Sequence, residues 1–152
     1  MKILSEYIKE GFKITSKTKV DKYNYHPETG FELQKIVQKC IDTRGNDADL
    51  NDIDTSKVTN MSGLFMNRRF NGNISKWDVS NVKKMISMFL NSNFNGDISD
   101  WDVSNVETME YMFSKSKFNG NISKWDVSNV KTMHKMFEGC PLEKNPPKWY
   151  KE

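Results

Sequence analysis

Trp77, Trp101, Trp125 and Trp149 follow one another at a constant step of 24 residues, and the other apolar positions keep that step. Val58, Val82, Val106 and Val130 form one column, and Met61, Met85, Met109 and Met133 a second. Leu64, Met88, Met112 and Met136 make a third, Phe65, Phe89, Phe113 and Phe137 a fourth, and Phe70, Phe94, Phe118 and Leu142 a fifth. A fixed period of this size marks a solenoid or similar array, in which each unit buries its apolar side on its neighbours. The tryptophan column opens with Ile53 in a degenerate unit near Leu50 and closes in a truncated one at Trp149, as expected of ends that meet water.

Within a unit the spacing changes. Ile98, Trp101 and Val103 read as a short strand, whereas Val106, Met109, Met112 and Phe113 recur at three- and four-residue steps, the pattern of a short helix. Ser80, Ser104 and Ser128 stand where its N-cap would be. Phe-Asn-Gly, as at Phe94-Asn95-Gly96, then turns the chain. The expected fold class is α/β, with short parallel strands on one side of the array and short helices on the other. The residue preceding each tryptophan-column position reads Asp52, Lys76, Asp100, Lys124, Lys148, so in-register stacking predicts ion pairs between the neighbouring units whose signs differ.

Two domains follow: 1–49 as a helical N-terminal cap, and 50–152 as four 24-residue repeats with a truncated C-terminal cap unit. Ile3, Leu4, Tyr7 and Ile8 predict a helix over 1–12, and Lys13 to His26 reads as a loop or extended segment. A second helix is expected from Glu28 to Thr43, with Phe31, Leu33, Ile36, Val37, Cys40 and Ile41 apolar and Gly45 as its stop. Only 36% of the chain is hydrophobic, which suffices because a one-dimensional core is thin.

The unit W-D-V-S-N-V-x-x-M-x-x-M-F followed by F-N-G, at Trp77 to Gly96, Trp101 to Gly120 and again from Trp125, resembles that of the BspA-like leucine-rich-repeat surface proteins, the mycoplasma and Listeria lipoprotein-type repeat. The resemblance covers about two thirds of the chain. It implies a leucine-rich-repeat-like right-handed solenoid and a role in binding or adhesion, often at bacterial surfaces, with relatives also in phages and other mobile elements. Met1-Lys2-Ile3-Leu4-Ser5-Glu6-Tyr7 lacks the apolar run of a signal peptide and no lipobox is present, so the expected localisation is cytoplasmic as encoded, against the cell surface that the resemblance suggests.

Charge excludes little but points away from polyanions. The formal net charge of +3 is spread evenly, with no basic face for nucleic acid or for an anionic membrane. Asp54, Asp78, Asp102 and Asp126 form a carboxylate column, open to two readings: a cation ladder, or Asx-turns in which each Asp accepts from the backbone N–H two residues on. The second is favoured because no His or Cys joins the column. Asn71, Asn95 and Asn119 are expected to satisfy turn backbone groups along the stack. Cys40 and Cys140 could pair only if the fold brings them together; buried or half-buried free thiols are favoured over a disulfide because Cys140 shares its column with Ser92 and Ser116. His26 and His134 have no nucleophile or phosphate loop beside them in sequence, so no catalytic residue, cofactor or metal is expected.

Function should then reside in what varies between units. Met66, Ile86, Leu90, Tyr111 and His134 fall on the predicted helix side and form a candidate protein-binding patch; scattered exposed residues, or contacts to the N-terminal helices, give the competing account. Lys76, Asp100 and Lys124 offer a second, more polar face. The expected function is a non-enzymatic protein–protein interaction module with a partner of unknown identity. The alternatives are a structural, self-assembling homo-oligomer such as a phage or cell-envelope part, and an inhibitor of a host protein encoded by a mobile element.

Overall fold

The computed structural model describes residues 21–152. The predicted helix over 1–12 lies outside them. Helix α1 spans Gly30–Arg44. Thr29 caps its start, its Oγ1 accepting from the Glu32 N–H at 3.2 Å, and Gly45 ends it by donating to the Ile41 carbonyl at 2.8 Å. Leu33, Val37 and Cys40 make its buried stripe. Phe31 does not join them: it is 66% exposed, with the Lys35 Nζ 4.3 Å from its ring centre.

The α/β leucine-rich-repeat solenoid is overturned. Among the described residues α1 is the one α-helix, beside a single 3-10 turn at Pro141–Glu143, and no run of strand exists. What remains of a sheet is five isolated parallel bridges, among them Asn60↔Lys84, Lys84↔Thr108 and Thr108↔Thr132. Each 24-residue unit is instead a series of tight turns. Where a strand was expected, Trp101 N–H returns to the Ile98 carbonyl at 3.2 Å and Val106 N–H to Val103 at 2.9 Å, so these side chains reach the core because the chain bends between them. Where a helix was expected, Met112 bonds back to Met109, Ser114 to Tyr111 and Ser116 to Phe113 in successive three-residue turns. Positive φ at Tyr111 (55°) and Lys115 (56°) is the type II turn signature and forbids an α-helix there.

The turns are joined from unit to unit by a ladder, a row of four forward-pointing bonds flanked by single bonds of the opposite sense such as Glu107 N–H to the Lys83 carbonyl at 2.8 Å. Met61, Gly63, Phe65 and Asn67 donate their N–H groups to the carbonyls of Lys84, Ile86, Met88 and Leu90 at 2.9 Å each. Met85, Ser87, Phe89 and Asn91 repeat the pattern onto Thr108, Glu110, Met112 and Ser114 at 2.8–3.0 Å, and the third unit does so onto the fourth. In this part of every unit the ladder N–H groups therefore point toward the C-terminal end and the ladder carbonyls toward the N-terminal end.

Inside the ladder the phenylalanines stack. Phe65, Phe89 and Phe113 follow one another at 5.5 Å and Phe137 at 5.9 Å, all nearly parallel. Phe70, Phe94 and Phe118 form a second column, each ring within 4.2–4.7 Å of its partner in the first. Burial of each such ring is worth roughly 2–3 kcal/mol. The N-terminal end of this core is closed by α1 and by the segment before it. Tyr25 bridges Ile53 in parallel, Arg44 binds Asp52 at 2.9 Å, and Arg68 reaches Gln38 of the helix.

The expected charge ladder is not formed. Asp52 pairs with Arg44, not Lys76, and no ion pair within 4.0 Å joins Lys76, Asp100 and Lys124 among the described residues. Those exposed side chains gain too little in water to be held together.

Candidate functional site

The most repeated polar residues are consumed by the fold. Asp54, Asp78, Asp102 and Asp126 each accept the N–H of the serine two residues on, Ser56, Ser80, Ser104 and Ser128, at 3.0–3.1 Å. In the first three the serine hydroxyl also donates to the same oxygen at 2.6–2.7 Å. Ser80, Ser104 and Ser128 thus close Asx-turns; there is no helix for them to cap. The Asp102 carboxyl is held below its ordinary range by the Ser104 hydroxyl and backbone N–H, against burial and the neighbouring Asp126. Among the described residues no three His, Cys, Asp or Glu side chains gather as metal ligands would.

Asparagines build two ladders. Asn71 Oδ1 accepts from Asn95 N–H, and Asn95 Oδ1 from Asn119 N–H, both at 2.8 Å. Asn81, Asn105 and Asn129 donate their side-chain amides to the carbonyls of Ser56, Ser80 and Ser104 at 2.6–2.7 Å, a column that sequence reasoning did not single out. Its signal was the Ser-Asn pair at Ser80-Asn81, Ser104-Asn105 and Ser128-Asn129. Trp77, Trp101, Trp125 and Trp149 each donate the indole N–H to a carbonyl 27 residues back. Cys40 and Cys140 are free and buried, and burial pushes the Cys140 thiol above its ordinary range.

What stays available is the outer surface of the turn ladder. Met66 is 41% exposed, Ile86, Leu90 and Tyr111 are half-buried, and His134 is exposed. Tyr111 and His134 meet edge to face at 5.7 Å, and the Tyr111 N–H donates to the His134 carbonyl at 3.0 Å. Met66 and Leu90 lie on adjacent rungs, beside the Asn67–Leu90 bond. The Ser87–Glu110 rung, 2.9 Å long, connects the Ile86–Leu90 part to the Tyr111 part. Beside His134, Lys135 pairs with Glu138 at 3.2 Å, which raises the Lys135 pKa.

Phe31 enlarges this surface from the helix side. With Gly30, Gln34, Asn60, Met61, Ser62 and Leu64 it lines an open cleft of about 230 Å³, and Ser62 Oγ accepts from the Ile86 N–H at 3.2 Å. The sequence signal for an outward Phe31 was its offset from the Leu33–Val37–Cys40 stripe. His26 stands in the segment before α1, with Asp21 at 2.8 Å and Asp54 at 3.4 Å.

A family model described as Mycoplasma protein of unknown function, DUF285, matches residues 31–149. No curated protein matches, and no solved structure does. No helix among the described residues is long and apolar enough to cross a membrane.

Proposed function

The chain belongs to the DUF285 family of Mycoplasma proteins of unknown function, and from that premise we propose that it is a non-enzymatic protein-interaction module, kin to the BspA-like surface proteins that its repeat unit resembles. The observation that supports this reading is the division of labour between columns. Trp, Asp, Asn and Phe recur in the units and are used internally, whereas Met66, Ile86, Leu90, Tyr111 and His134 stand at positions that differ from unit to unit and reach the surface. They stand on a backbone held by a hydrogen bond at every second residue, so little side-chain-bearing backbone has to be ordered on binding. Apolar and aromatic groups rimmed by Lys135, Glu138 and Lys35 have the composition of a protein-binding surface.

Affinity capture from a bacterial lysate with wild type, Ile86→Asp and Tyr111→Ala tests it, circular dichroism confirming that the variants fold. Proteins retained by wild type and lost by both variants are the expected result. An unchanged set of captured proteins would remove this surface from consideration.

A further inference from the structure

The ladder ends unsatisfied. In the first three units the first two donors of the row, Met61 and Gly63, Met85 and Ser87, Met109 and Tyr111, each find a carbonyl one unit on. Their equivalents in the fourth, Met133 and Lys135, have no acceptor among the described residues. The side chains agree. Val79 and Val103, Val82 and Val106, and Met85 and Met109 are buried at 0–1% exposure, but Val127, Val130 and Met133 are only partly buried. They floor an open cleft of about 460 Å³, flanked by Lys131, His134, Trp149 and Lys151. The tail supplies part of a next coil, Trp149 stacking on Trp125 at 6.4 Å and Tyr150 meeting Phe137 at 4.9 Å, and leaves the Val130–Met133 part open.

We propose that this edge binds, as an added coil, an extended segment of another polypeptide carrying the pattern Val-acidic-x-Met. Continuity of the ladder specifies its geometry. The guest valine and methionine would cover Val130 and Met133 as Val130 and Met133 themselves follow Val106 and Met109 one unit on, and the Met109–Thr132 and Tyr111–His134 rungs, at 2.9 and 3.0 Å, are the pattern of the bonds that Met133 and Lys135 would make. Charge specifies the acidic position. Lys83, Glu107 and Lys131 alternate along one column, Lys131 bonding Glu107 at 2.8 Å, so the residue stacked beyond Lys131 is matched by a carboxylate. Polarity argues against a second copy. The cleft end presents the Met133 and Lys135 donors beside a single carbonyl of the opposite sense, that of Lys131, so two such ends facing each other cannot pair both donor rungs, and at the other end Asn60 O lies so close to Gly30 of α1 that no Cβ fits between them. The occupant is therefore a repeat segment free of such a helix, and main-chain bonding at a sheet-like edge is a known recognition mode.

The test uses the whole chain and a fluorescein-labelled peptide with the sequence of residues 105–112, Asn-Val-Glu-Thr-Met-Glu-Tyr-Met. Saturable binding by anisotropy is expected, with slowed amide exchange at Met133 and Lys135. Binding should weaken about tenfold when the peptide glutamate after valine is changed to lysine, and likewise for the Met133→Asp chain. Absence of saturable binding, or binding indifferent to both changes, overturns the proposal. So does light scattering that shows the chain alone dimerising with Met133 and Lys135 already protected, since a second copy would then occupy the edge.

Discussion

Trp101 donates its indole N–H to the carbonyl of Ile74 at 3.2 Å, within the core, and the bond recurs in every unit that carries a tryptophan. The ring is 4% exposed, so neither the donor nor the acceptor has water as an alternative.

Trp101→Phe should therefore cost about 1 kcal/mol, the weight of one buried hydrogen bond, since the Ile74 carbonyl keeps the Trp77 N–H at 3.1 Å as its second partner. Trp149→Phe should cost less, since Trp149 is only partly buried and stands at the end of the stack. Urea denaturation of both variants measures the difference. Equal losses would show that burial of the carbonyl is not what gives the bond its weight.

Two glycines should respond differently to alanine. At Gly72 a Cβ would overlap the Ala48 carbonyl oxygen and stand 2.6 Å from the Phe70 ring, so Gly72→Ala should destabilise by about 3 kcal/mol or prevent folding. Gly63 has positive φ but open space around it, and Ser87, Tyr111 and Lys135 adopt the same conformation in the other units. Gly63→Ala should cost about 1 kcal/mol. Thermal unfolding separates the two, and a reversed order would contradict the close approach at Gly72.

Acid should loosen the turns. The Asp102 carboxyl is depressed by the Ser104 hydroxyl and backbone N–H, and Asp52 by the Arg44 guanidinium, helped by Asn24 against burial. A depressed folded-state pKa contributes stability present above the unfolded aspartate value of about 3.9 and lost as pH falls through the folded value. Stability should thus fall below about pH 4. Ser104→Ala should move the Asp102 titration upward in carboxyl NMR, and an unmoved titration would show that the serine does not hold it.

Periodicity, the buried columns, the Asx-turns and the α1 stripe were all legible because each rests on residue type at fixed spacing. Turn was mistaken for helix because Val106, Met109, Met112 and Phe113 keep steps of three and four that successive three-residue turns also produce. The discriminating signal lay in the column Asn67, Asn91, Lys115 and Gly139, where three of four residues suit positive φ. Ile98, Trp101 and Val103 misled for a related reason: a three-residue interval cannot alternate across a strand, and the turn at 98–101 is what makes both ends face inward. At the candidate surface, Met66 and Tyr111 were visible as departures from their columns. Phe31 was legible only through its offset of about half a turn from the Leu33–Val37–Cys40 stripe, which composition alone does not reveal.

Since every rung needs the coil beside it, the stack has an order of assembly built into it. An interior coil is held from both sides, the first is held by α1, and the last is held from one side with Met133 half covered. Ordering should spread from the helix-covered end, and heat should unzip the molecule from the other, so that its melting is a front moving along the chain.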